Sequence, residues 1–192
     1  MLRRLYDWTM DLAARPYALW ALFAVAFVES SFFPIPPDVL IIPMVLAARP
    51  EWFRIALVAT AGSVLGALLG YWIGAAFMDT LGNQILAAYG KEGDFADLAA
   101  RFDEMGVWAV LIAGLTPFPF KVITIFSGAV QLNIAVFVMA CIVSRAARFL
   151  IVAWLLWRFG APIRDFIERR LGIIFTLFMV ALIGGFYLVK YL

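Results

Sequence analysis

The chain contains no histidine and a single cysteine, Cys141. Those absences exclude a His/Cys metal site, a haem held by histidine, a Ser-His-Asp triad and an internal disulfide. Charge is scarce as well: Asp, Glu, Lys and Arg make up 15% of the 192 residues, where a soluble domain carries about 25%. The 15 basic and 13 acidic side chains nearly cancel, so the dense basic patch that nucleic acid requires is missing. What fills the chain instead is 66% hydrophobic and 16% aromatic, with a mean hydropathy of +0.99. Too little polar surface remains to keep such a chain in water, which makes it an integral membrane protein. A spanning helix takes roughly 20 residues, and three to six inserted segments fit.

Residues 1–15 alternate apolar and charged positions at helical spacing and predict an amphipathic surface helix. Residues 16–49 form an apolar run broken at Pro34-Ile35-Pro36-Pro37-Asp38 and resumed to Arg49. Prolines this dense cannot continue a helix, and the second arm is too short to span. A re-entrant hairpin with its tip at Pro34, Pro36 and Pro37 is expected. Residues 55–78 are uncharged, long enough to span, and carry Gly62, Gly66, Gly70 and Gly74 on one face. That face suits close packing, either internally or in a homodimer. Residues 79–105 are polar and read as a surface loop and helix. Residues 106–132 repeat the hairpin, with Pro117 and Pro119 at its tip. Spans are predicted at 133–157 and 171–191, with an amphipathic connector over 158–170 between them.

A shift of eighty-three residues lays PIPPDVLII over PFPFKVITI, pairing Pro34 with Pro117, Pro36 with Pro119 and Asp38 with Lys121. Each unit is one hairpin plus one crossing, so the second copy is inverted relative to the first. The expected fold is an all-α polytopic membrane protein built as an inverted repeat of re-entrant helical hairpin plus transmembrane helix, completed by amphipathic surface helices and a final transmembrane helix. Inverted repeats of broken helices belong to alternating-access transporters. Nine arginines fall on the side of the amino terminus and the 158–170 connector, against Lys91, Arg101 and Lys190 on the other. The amino terminus is therefore expected to be cytoplasmic.

Five ionisable residues remain at membrane depth: Glu29, Asp38, Lys121, Arg145 and Arg148. Each costs about 2.5–3.5 kcal/mol at a helix centre, so they must pair, face water or hold a charged ligand. Arg145 and Arg148 project from one helix face, and the opposed hairpin tips bring Asp38 towards Lys121. Three cations against two acids suit an anionic oxygen ligand, phosphate above all. Lys121, Arg145 and Arg148 are the candidate substrate-binding residues, with Glu29 and Asp38 as proton-coupling or gating acids. The alternative for the same residues is a salt-bridge lock, Asp38 to Lys121 and Glu29 to Arg145 or Arg148. No nucleophile has a recognisable base, so no catalytic residue, metal or cofactor is expected.

The paired motifs, Glu29 with Pro34 to Asp38, and Gly114 with Pro117 to Lys121 and Gly128, flank Gly70-Tyr71-Trp72-Ile73-Gly74. Together they resemble the DedA family, also called the VTT or SNARE-associated membrane protein domain, from about Leu19 to Gly160; the YqaA-like branch is the most similar. The resemblance implies a multi-pass protein of the bacterial inner membrane that moves lipids between leaflets as a flippase or scramblase. Family substrates include the undecaprenyl phosphate carrier and phosphatidylethanolamine, with proton coupling. Glu29 matches the family's first acid, and Asp38 stands where Pro-Gly-Glu usually ends, with Pro37 in place of the glycine. Leu115 stands where an arginine follows the family's glycine, Lys121 represents the downstream arginine after a one-residue slip, and Ala67 replaces an acid. The expected partner is a membrane lipid with an anionic or phosphate-bearing headgroup. Rival readings are a small-anion transporter and a non-transporting membrane-homeostasis scaffold.

Overall fold

The computed structural model describes residues 17–160 apart from Pro34, Lys91, Pro117 and Phe118, and not the side chains of Glu92, Asp94, Leu98, Arg101, Asp103 and Glu104. The amino-terminal amphipathic helix, most of the 158–170 connector, the 171–191 span, and Pro34 and Pro117 lie outside the described residues.

Every described element is helical. They are α1 (Ala18–Ser31), α2 (Asp38–Ala47), α3 (Trp52–Phe77), α4 (Asn83–Tyr89), α5 (Glu92–Leu115), α6 (Phe120–Ala129) and α7 (Ile134–Gly160). Proline sets the breaks: Pro37 directly precedes α2 and Pro119 directly precedes α6, the places where a missing N–H costs a helix nothing. Asp38 then opens α2 with a negative charge at the positive end of its dipole. The Asn133 side chain caps α7, accepting from the N–H groups of Ala135 at 3.0 Å and Val136 at 3.2 Å.

Two helical stretches are long and apolar enough to cross a membrane, Arg49–Tyr89 and Ile134–Gly160. The first is longer than the sequence suggests. A single π-helical turn, Met78–Gly82, joins α3 to α4, and Gly90 ends the rod in a left-handed conformation. The polar-to-apolar change near Gly106 likewise mimics a boundary, yet α5 passes through it unbroken. Gly106 is covered by Leu132 and Phe102, and nothing there interrupts the hydrogen-bond ladder. Residues 158–160 continue α7 rather than opening the connector.

The glycine stripe of α3 is the spine. A Cβ at Gly62 or Gly66 would strike the carbonyl oxygens of Phe23 and Phe27 in α1, and one at Gly74 would strike that of Ile125 in α6. Gly128 returns the relationship, lying bare against the Tyr71 backbone. Contacts at Phe23 to Gly62, Phe27 to Gly66 and Ser30 to Gly70 advance together, so α1 runs parallel to α3, and Thr124 to Gly70 followed by Ala129 to Gly74 makes α6 parallel as well. Both half-helices therefore lie end to end along one face of α3. Because α1 ends level with Gly70 and α3 begins at Trp52, the chain through α2 must return by about 27 Å between them. The stripe is filled by this chain's own α1 and α6, which leaves a homodimer to use another face.

α7 closes the bundle in the opposite direction, with Phe137 on Tyr71, Arg145 on Ser63 and Trp157 stacked on Trp52. Two cores result. Leu22, Ile41, Val45, Ile55 and Phe149 fill one end; Ala67, Tyr71, Val110, Phe120 and Phe137 fill the other. Both ends of α2 match those of α6, and the start of α3 matches that of α7, within one residue after the eighty-three-residue shift.

Candidate functional site

Between the two cores lies a band of polar side chains, where the broken ends of α1, α2, α5 and α6 meet α7. Arg145 is its centre. The side chain is 1% exposed, its Nη2 donates to Glu29 Oε2 at 2.7 Å, and its Nε donates to Ser63 Oγ at 2.6 Å. Ser63 lies 2.6 Å from Ser30 Oγ, and Ser30 donates to Glu29 Oε2 at 3.0 Å. With Ser63 accepting from the guanidinium and Ser30 donating to the carboxylate, the remaining proton runs from Ser63 to Ser30 and closes a four-residue ring. The rings of Phe120 and Phe149 flank the guanidinium, each 4.7 Å from Cζ, an arrangement worth about 2 kcal/mol when desolvated.

Arg148, one turn further along α7, makes a different connection. Its Nη2 donates to Asp38 Oδ2 at 2.8 Å and its Nη1 to the Thr116 carbonyl at 2.8 Å, just past the end of α5. One guanidinium thus ties the start of α2 to the end of α5. The pair is less enclosed than the first, with side-chain exposures of 22% for Arg148 and 24% for Asp38.

Lys121 does not meet Asp38. The opposed tips suggested that pairing, but Arg148 takes the carboxylate, and Lys121 Nζ donates instead to the Phe32 carbonyl at 3.4 Å. A cation there complements the negative end of α1. Among the described residues Lys121 has no acidic partner. The salt-bridge expectation for Glu29 with Arg145 matches the structure; that for Asp38 with Lys121 is replaced by Asp38 with Arg148. Pro36 and Pro37 sit at the first break and Pro119 at the second.

Three hydroxyls escaped the sequence reading. Ser30 and Ser63 complete the ring, and Thr124 Oγ1 shares its proton between the Ser30 carbonyl at 3.0 Å and the Lys121 carbonyl at 2.9 Å. The signal available in the sequence was position: Ser63 lies beside Gly62 on the bare stripe.

Two tryptophans of α3 serve as markers along the helix. Trp52 and Trp72 are twenty residues and about 30 Å apart, the thickness of a hydrocarbon core. Trp72 is 61% exposed and Trp108 is similarly open, while Trp52 stacks with Trp157 at the other end. Tryptophan favours the membrane–water interface. Ser63, and with it the Arg145 ring, lies about 16 Å from Trp52, half-way between the two levels.

Broken helices laid along a glycine spine, with an ion-paired band between two apolar cores, define an all-helical membrane protein whose polar centre joins its two halves. Residues 35–158 match the VTT domain family model, and the chain belongs to that family, the DedA family. A similar protein of Haemophilus influenzae, described as uncharacterized, is 38% identical over 168 residues, covering 85% of this chain and 87% of its own. A Histophilus somni relative is 36% identical over the same shares. One from Methanocaldococcus jannaschii is 25% identical over 70% of this chain and 81% of its own. No solved structure matches the chain.

Proposed function

We propose that the protein moves a phosphate-bearing lipid headgroup, of a phospholipid or a polyprenyl phosphate, between the leaflets of the bacterial inner membrane. In this reading α1–α2 and the end of α5 with α6 are re-entrant hairpins entering from opposite sides, and the two halves form an inverted repeat. The eighty-three-residue match of element boundaries and the antiparallel run of α3 and α7 support it. Arg49, Arg54 and Arg158 gather at the Trp52 end, which supports a cytoplasmic placement of that end.

The observation that carries the proposal is the state of the three cations. Arg145 is enclosed by its ring and two phenyl groups and serves as a fixed anchor, whereas Arg148 is partly open and Lys121 has only a long bond to a carbonyl. Lys121 and Arg148 are the groups a phosphate reaches, and binding there competes with Asp38 for Arg148. Releasing Asp38 frees α2 from α5, which couples headgroup binding to opening. Glu29 and Asp38 are the acids that protons reach when the pairs part.

Both arginines already hold carboxylates, and this favours a second reading in which the pairs only fasten the halves of a non-transporting scaffold. The two are separated in proteoliposomes carrying fluorescent phospholipid, with dithionite quenching as readout. Headgroup transport predicts that Lys121→Gln slows translocation at least fivefold without lowering the thermal midpoint. Equal rates in wild type and Lys121→Gln, or no translocation above protein-free vesicles, reject it. A small-anion transporter would instead take up inorganic phosphate at a rate independent of vesicle lipid.

A further inference from the structure

The seam between α5 and α7 changes character along its length. At one end Val107 and Leu111 face Ala135, Met139, Ala140 and Val143 across an apolar groove of about 420 Å³ that opens sideways at the surface. That volume is within the range of about 300–1,000 Å³ typical of ligand sites. Further along, Gly114 packs on Ser144, and beyond it Arg148 reaches the Thr116 carbonyl and Asp38. Ala140, Ser144 and Arg148 recur every fourth residue, so groove and guanidinium share one stripe of α7 about 12 Å apart.

We propose that the groove seats the hydrocarbon chain of a phosphate-bearing lipid whose head lies at Arg148 and Lys121. The inference rests on the headgroup reading above and adds where the tail runs. Charge complementarity fixes the head end, because the groove walls are aliphatic side chains and one thioether while the cations lie at the opposite end of the seam. Met139 and Val143 remain more than half exposed beside the groove, so a chain can enter from the side without the helices parting. The tail then points from the mid-depth band towards Trp108. That is the reverse of a resting lipid in the same leaflet, whose head would sit at the tryptophan level.

Orientation makes the test sharp. Full-length protein in proteoliposomes is photolysed with phosphatidic acid carrying a diazirine either next to the chain carboxyl or at the terminal methyl, and adducts are mapped by peptide mass spectrometry. The first probe is expected to label around Leu115 and Ala147, since Ser144 is buried under Gly114, and the second around Val107 and Ala135. Ala135→Phe, at an exposed position, lowers the second label at least fivefold while elution volume and thermal midpoint stay unchanged. Five results would overturn the proposal: the reverse order of labelling, no labelling of the seam, equal labelling by a photoreactive diacylglycerol, or cross-linking of Met139→Cys either to a cysteine placed within 171–191 or to a second copy. Ordered labelling without translocation removes transport and leaves the seat; translocation without ordered labelling removes the seat alone.

Discussion

The hydroxyl of Thr124 lies 3.0 Å from the carbonyl of Ser30, joining the end of one half-helix to the start of another that is ninety-four residues away in sequence. Thr124→Val keeps the shape and leaves a buried carbonyl short of its donor, a loss of about 1–3 kcal/mol. Thr124→Ser retains the bond. Thermal unfolding in detergent micelles, followed by circular dichroism, should show a lowered midpoint for the valine variant and a near-native one for serine.

Gly66 lies bare against the Phe27 backbone, while its neighbour Leu65 is exposed. Gly66→Leu forces α1 off the spine, and overpacking of this kind costs about 1–3 kcal/mol or more. Leu65→Ala should stay within about 0.5 kcal/mol. Fluorescence-detected size-exclusion chromatography of the two variants reads the contrast as lost against retained monodisperse protein.

Removing one partner of the Glu29–Arg145 pair leaves a buried charge alone, at about 3–5 kcal/mol. Arg145→Met and Glu29→Gln should each lower the midpoint sharply, and the double variant should lose less than the two losses added. Additive losses would show that the 2.7 Å contact carries no coupling.

If the tryptophans of α3 mark the two interfaces, brominated phospholipids will report it. In variants retaining a single tryptophan, Trp72 should be quenched more strongly by bromines near the headgroup than by bromines near the chain end. A tryptophan introduced by Leu65→Trp, seven residues deeper and exposed, should give the opposite order.

The breaks were legible because proline leaves the chain no choice, and the charges were legible because a membrane penalises each one. Which charges would pair was not. Sequence offset gives the level of a residue on a helix, but azimuth decides its partner, and the small rotation between Arg145 and Arg148 sends one to Glu29 and the other to Asp38. The hydroxyls of Ser30, Ser63 and Thr124 went unread for a related reason. An uncharged hydroxyl can satisfy itself on its own helix, as Ser144 does on the Ala140 carbonyl, and so carries no signal of a distant partner. The unbroken run of α5 was hidden because polarity changes at Gly106 while helical continuity does not.

The glycine spine also sets an order of events during synthesis. When α3 enters the membrane, α1 is already present to cover Gly62 and Gly66, but the segment that covers Gly74 is α6, which ends at Ala129. The 55 residues after Gly74, up to Ala129, must be made before that upper surface finds its partner. Until then it faces lipid or the translocation machinery as bare backbone. The first half of the chain cannot reach its final packing alone, and assembly waits on the second.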